Sequence, residues 1–80
     1  MSLVTVWVRK PANRLIYIDG GYNQPAGNSS RDSFSAPPGF HTFETLDSVR
    51  RVDYRKRFHV TIATGGMTID LDPVRPPEPI

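Results

Sequence analysis

Hydrophobic and polar side chains alternate with a period of two along most of this chain, the pattern of strands that bury one face and expose the other. Leu3 to Arg9 is rich in valine, whose β-branched side chain keeps a good rotamer on a pleated strand and crowds a helical turn. Lys10-Pro11-Ala12-Asn13 supplies a turn, and Arg14 to Asp19 gives a second apolar run with Ile16 and Ile18 on one face and Leu15 and Tyr17 on the other. The two runs are expected to pair as a first hairpin. Phe34 begins a short strand that Pro37-Pro38-Gly39 stops, and Phe40 to Leu46 resumes extended structure with His41, Phe43 and Thr45 on one face, which predicts a second hairpin. The longest run, Val52 to Ala63, puts Val52, Tyr54, Phe58, Val60 and Ile62 on one parity and Asp53, Arg55, Arg57, His59 and Thr61 on the other. Gly65-Gly66 then turns the chain into Met67 to Leu71, which predicts a third hairpin.

Two segments depart from this alternation. Residues 20–33 turn to glycine, asparagine, serine, glutamine and proline, a composition that buries too little apolar area to order itself, so a long polar loop is expected there. Residues 73–80 carry four prolines and read as an extended tail that cannot be a central strand, following a single β domain over 1–72. A short helix capped by Asp47 or Ser48 competes for residues 49–54. It would bring Arg50, Asp53 and Arg57 to the buried stripe, which disfavours it.

Composition sharpens the fold class. Eight prolines and six glycines in 80 residues oppose long helices, and a chain of this length supports one core. The expected fold is all-β: a small antiparallel β-sandwich, or a related small barrel, of about six strands with a proline-rich C-terminal tail. Val4, Val6, Trp7, Ile16, Ile18, Phe43, Phe58, Val60, Ile62, Ile69 and Leu71 are the expected core. The apolar N-terminus is too short to span a membrane and no basic segment precedes it, so the cytoplasm is the default expectation.

The absence of cysteine removes disulfides, thiolate nucleophiles and cysteine-based metal sites, and a net charge of +2 falls short of a dedicated nucleic-acid binder. The candidate binding residues lie mainly in the basic segment 50–59: Arg50, Arg51, Arg55, Arg57 and His59. Tyr22 and Asn23 in the polar loop join them. Arg55, Arg57 and His59 would line one strand face about 7 Å apart, near a phosphate repeat. The aromatics of the segment face the other way, and pairing to Glu44, Asp47 or Asp53 explains the same cations. His41 and His59 lack chelating spacing, the serines lack a nucleophile elbow, and the glycines lack the Gly-Lys-Ser/Thr of a phosphate loop. Asp70 and Asp72 share a strand face, but a deep cleft is hard to build in a chain this small. No catalytic residue, metal or cofactor is expected.

Pro11-Ala12-Asn13-Arg14-Leu15-Ile16-Tyr17-Ile18-Asp19-Gly20 resembles the opening of a PEGA domain: a proline turn, a short apolar strand, then Asp-Gly. Pro38-Gly39-Phe40-His41-Thr42-Phe43 resembles that family's Pro-Gly turn into a strand, Tyr54 onward its next strand, and Gly65-Gly66 to Leu71 its closing hairpin. The resemblance spans roughly Leu3 to Leu71. Ala12, Asn13 and Arg14 replace the family's Glu-Gly-Ala, no Thr-Pro follows Asp-Gly, and the loop after Gly20 is longer. It implies a small, usually non-catalytic β-sandwich of the kind appended to envelope, surface or signalling proteins. The expected function is therefore a non-enzymatic protein-binding or assembly module, a small subunit or accessory protein of a larger complex. The alternative is a nucleic-acid-binding β domain using Arg50 to His59, and a minimal hydrolase with a histidine base is the least supported reading.

Overall fold

Val4, Val6 and Val8 send their side chains to one side of strand β1 (Val4–Arg9), and Ile16 does the same from β2 (Leu15–Ile18). Two strands with such faces bury most when the faces oppose one another across a core, and that sets the architecture. The computed structural model describes residues 3–23 and 29–79. The remaining strands are β3 (Gly21–Asn23), β4 (Arg31–Ala36), β5 (Gly39–Leu46), β6 (Arg51–Val60), β7 (Thr68–Asp70) and β8 (Asp72–Pro79). They form a three-stranded sheet, β4-β1-β7, and a five-stranded sheet, β3-β2-β5-β6-β8. All pairings are antiparallel except β1 with β7. No helix among the described residues is long and apolar enough to cross a membrane.

The all-β sandwich matches the expectation, with eight strands among the described residues in place of about six. The expected hairpins do not form. β1 and β2, β4 and β5, and β6 and β7 each lie in opposite sheets. Period two tells which face of a strand is apolar but not whether the next strand lies beside it or across from it. Pro37-Pro38 between β4 and β5 has no backbone donors and fixed φ, so it carries the chain from one sheet to the other. The sequential hairpins that do form are β2-β3, through Asp19 (φ 53°) and Gly20 (φ 80°), and β5-β6, through the Asp47–Arg50 turn. Two successive positive φ values give the mirror-image turn that matches strand twist, which Asp-Gly favours.

Residues 20–23 and 29–33 are more ordered than their composition implied. They contain β3 and the start of β4, because both segments find a strand with free ladder groups; residues 24–28 lie outside the described residues. Residues 72–79, the proline-rich segment, run antiparallel to β6 at the edge of the larger sheet.

The core consists of Val4, Val6, Val8, Ile16, Phe34, Phe43, Val60, Ile69 and Leu71, with Ile18, Tyr54 and Phe58 packed against it. Trp7 and Ile62 are corrections. Trp7 has odd parity on β1 and faces away from the core, where the Arg31 guanidinium sits 4.1 Å from its ring centroid. Ile62 opens a single 3-10 turn (Ile62–Thr64) and is 81 % exposed, because the strand ends at Val60. Asp53, expected on the solvent face, is largely buried beside an irregularity in the β6-β8 register: Thr45 donates to one carboxylate oxygen at 2.7 Å and Arg14 to the other at 3.0 Å.

Candidate binding face

The outer face of the β5-β6 pair is where the sequence places its cations, and the register fixes their neighbours. Glu44 lies opposite Arg55, Thr42 opposite Arg57, and Phe40 opposite His59. Arg55 is closed on two acids: Nε donates to Glu44 at 2.8 Å and an Nη to Glu78 at 2.9 Å. The hydrogen bonds it donates to Glu78 and then to Glu44 raise its already high pKa, so it carries its charge at any accessible pH. Arg51 pairs with Asp47 at 3.2 Å, and Lys56 with Asp72 at 3.3 Å.

Arg57 is different. No carboxylate stands within ion-pair distance of it among the described residues, and its guanidinium carbon lies 5.1 Å from the centroid of Phe40. His59 stacks on the same ring, with centroids 4.5 Å apart and planes inclined by 18°. Phe40 is nevertheless 62 % exposed. A cation beside an aromatic ring is attracted by the ring's quadrupole and a stacked ring adds contact area, so Arg57 and His59 respectively support Phe40 where it stands exposed on the sheet. Arg50 is exposed in the β5-β6 turn at φ 63°. The basic segment is thus brought together by the structure in part: Arg57 and His59 share one cluster, Arg51 and Arg55 are engaged internally, and Arg50 stands apart. Tyr22 and Asn23 fall on β3, opposite Tyr17 and Ile16, at the far edge of the same sheet.

Sequence reasoning passed over Phe40, which it read only as a strand residue. It also passed over an apolar end of the sandwich. Leu3 (62 % exposed) precedes Val4, Ile62 follows Val60, and Met67 sits where its C=O accepts from Trp7 N–H at 3.1 Å. The 3-10 turn packs against β1, with Val4 Cγ1 close to Gly65, so these residues gather at the end that also carries Gly39 and Phe40. The signal was present in Ile62 and Met67 flanking Gly65-Gly66, a segment too rich in turn residues to continue a strand.

At the opposite end a cleft of about 320 Å³ is lined by Arg9, Lys10, Pro11, Tyr54, Asp70 and Leu71, none of them an expected site residue. Its charges are internally matched: Arg9 lies 3.4 Å from Asp70, and Lys10 3.0 Å from Asp32. No cluster of three or more metal-ligating side chains occurs among the described residues. Comparison with models of known protein families, with curated proteins and with solved structures gives no match.

Proposed function

We propose that this chain is a non-enzymatic protein-binding or assembly module, a small subunit or accessory protein of a larger complex, in keeping with the PEGA-like pattern of its sequence. The observation that carries the reading is a contrast between two surfaces. Arg51, Arg55 and Lys56 are matched by acids of the same chain, whereas Phe40 and Ile62 stand 62 % and 81 % exposed. Moving one such side chain from water into an interface contributes about 1.5–3 kcal/mol, and aromatic residues with arginine dominate the centres of protein interfaces. The partner this end fits is a protein surface offering an apolar pocket for Phe40 and Ile62 with a carboxylate beside it for Arg57.

Nucleic-acid binding is the second reading, favoured by one observation: Arg57 and His59 flank an exposed ring on which a base could stack. The ladder of free cations that would track a phosphate backbone is shortened, because Arg51 and Arg55 already hold carboxylates.

The experiment is affinity capture from native lysate with the wild-type chain and a Phe40→Ser/Ile62→Ser variant, read by cross-linking mass spectrometry. A protein retained by the wild type, lost by the variant and cross-linked near Phe40 supports the module. Tight binding of a labelled single-stranded oligonucleotide that collapses with added salt and with Arg57→Ala would replace it with the nucleic-acid reading.

A further inference from the structure

The hydrogen-bond parity of β1 reveals an open edge. Lys10 N–H donates to Ser30 C=O at 2.8 Å, so the residues facing each other at that rung exchange ladder bonds. In an antiparallel pair such rungs alternate, which makes Val8–Asp32, Val6–Phe34 and Val4–Ala36 bonded pairs too. The odd residues of β1 turn the other way, as Trp7 N–H to Met67 C=O and Leu71 N–H to Arg9 C=O confirm. The backbone groups of Arg31, Ser33 and Ser35 therefore point outward from the free edge of β4. Those of Arg31 are closed by one side chain: the Ser29 hydroxyl accepts from Arg31 N–H at 3.1 Å and donates to Arg31 C=O at 2.9 Å. Ser33 and Ser35 have no such cover among the described residues.

The other three edges are blunted. β3 and β7 have three residues each, and β8 carries prolines at 73, 76, 77 and 79, which have no backbone donor. β4 has six residues, no proline and small serines at two of its three outward positions.

We propose that β4 pairs with β4 of a second copy of this chain, antiparallel about a two-fold axis at Phe34, joining the two three-stranded sheets into one of six strands. This register sets Ser33 opposite Ser35 of the second copy, and the reverse, so that each of the four outward donors meets an outward acceptor. A shift toward the N-terminus would have to break the Ser29 closure on Arg31, and a shift the other way would oppose Ser33 to Pro37, which has no N–H. The side chains brought opposite are serine on serine, Phe34 on Phe34 and Asp32 on Ala36, with no like charges apposed. Asp32, the one charge of the inner face, is already matched by Lys10 at 3.0 Å. Self-complementarity of this kind is what an isologous interface requires, and it selects a second copy over an unrelated strand. The pairing is independent of the partner-binding reading above, which uses a different surface.

The test is sedimentation velocity of the full chain from about 10 μM to about 1 mM, the range for an interface smaller than ~1,000 Å², with amide exchange measured by NMR. The expected result is an apparent mass rising toward that of a dimer while the Ser33 and Ser35 amides become protected with concentration. Ser33→Pro/Ser35→Pro should stay monomeric. Because prolines could unfold β4, a second pair of variants guards the test: Ser33→Lys/Ser35→Lys and Ser33→Glu/Ser35→Glu should each be monomeric and should associate when mixed. A wild type monomeric at every concentration overturns the proposal. So does a dimer that leaves the Ser33 and Ser35 amides unprotected, or one that survives both charged variants.

Discussion

Nδ1 of His41 lies 2.6 Å from a carboxylate oxygen of Asp19, while its Nε2 lies 2.7 Å from the C=O of Pro37. Both partners are acceptors, an arrangement that the protonated ring satisfies in full and the neutral ring only in part. The second Asp19 oxygen accepts from Thr42 N–H at 2.8 Å. One histidine thus ties the tight β2-β3 turn to the segment where the chain changes sheets.

Stability should depend on pH through this pair. The hydrogen bond to Asp19, the largest influence, raises the His41 pKa against a smaller opposing effect of burial, and the same bond lowers the Asp19 pKa. A raised histidine stabilises the fold fully below its unfolded value of about 6.5 and loses that contribution as pH climbs through the folded value; a lowered aspartate contributes above about 3.9 and fails as pH falls through its folded value. The contribution of the pair is complete between those two unfolded values. Denaturation series should show stability declining as pH rises above about 6.5. Asp19→Asn, which suits the same positive-φ turn, should flatten that decline, lower the His41 pKa seen by NMR and cost under about 1 kcal/mol. A His41 pKa unmoved by Asp19→Asn would refute the assignment.

Lys10 should be intolerant of single replacement. Its side chain is wholly buried, its ammonium donates to Ser29 C=O at 2.9 Å, and Asp32 lies within ion-pair distance though out of line for a hydrogen bond. Lys10→Met strands an aspartate that is three-quarters buried, at a cost of about 2–4 kcal/mol. Lys10→Met/Asp32→Leu should recover more than half of that loss in chemical denaturation, since removing both charges is far cheaper than removing one. Additive losses would show that the two residues do not act as a pair.

These two devices mark how far the sequence could be read. Alternation located the strands and the apolar faces of β1, β2, β5 and β6, because burial on one face writes period two directly into the chain. It could not assign strands to sheets. A valine buried against a partner across the core looks the same as one buried beside a hairpin neighbour, so all three expected hairpins failed. Lys10 was read as a turn residue, since nothing local shows that Asp32 will come to meet it. Asp19 was read as the end of a strand before a long loop, and its link to His41 was not legible, because it spans 22 positions and two strand connections. The binding face was half legible: the cations of 50–59 were visible, but which of them find acids depends on the register of β5 and β8.

Two isoleucines and a phenylalanine separate folding from function. Phe43 is fully buried at the centre of β5, and Phe43→Ala should cost about 3–5 kcal/mol through lost burial and the cavity left behind. Ile16→Val, at an equally buried position, should cost about 0.5–1.5 kcal/mol. Ile62→Ser, at a side chain in water, should change thermal or urea stability by no more than about 0.5 kcal/mol. A large loss from Ile62→Ser would mean that this residue belongs to the core, and the apolar end would lose its standing as an interface.

The attachment of β8 should be salt-sensitive in a way that no other strand is. Half of its eight residues are prolines without a backbone donor, so the ladder to β6 is sparse, and side chains replace it: Arg55 reaches Glu78 at 2.9 Å while gripping Glu44 of β5, and Lys56 reaches Asp72 at 3.3 Å. Exposed pairs of this kind are worth under about 1 kcal/mol each and weaken as added salt shortens the Debye length toward ~3 Å at 1 M. Raising salt from about 0.05 to 1 M should therefore speed amide exchange at Val74, Arg75 and Glu78 several-fold while leaving Phe43 and Val60 unchanged, because local opening of β8 does not require global unfolding. Arg55→Ala should reproduce the effect at low salt. Arg55→Lys should give an intermediate result, because an ammonium lacks the planar fork that lets one side chain serve two carboxylates in fixed geometry. If β8 exchanges at the same rate in all these conditions, its hold on the sheet comes from the backbone and not from the Arg55–Glu78 and Lys56–Asp72 pairs.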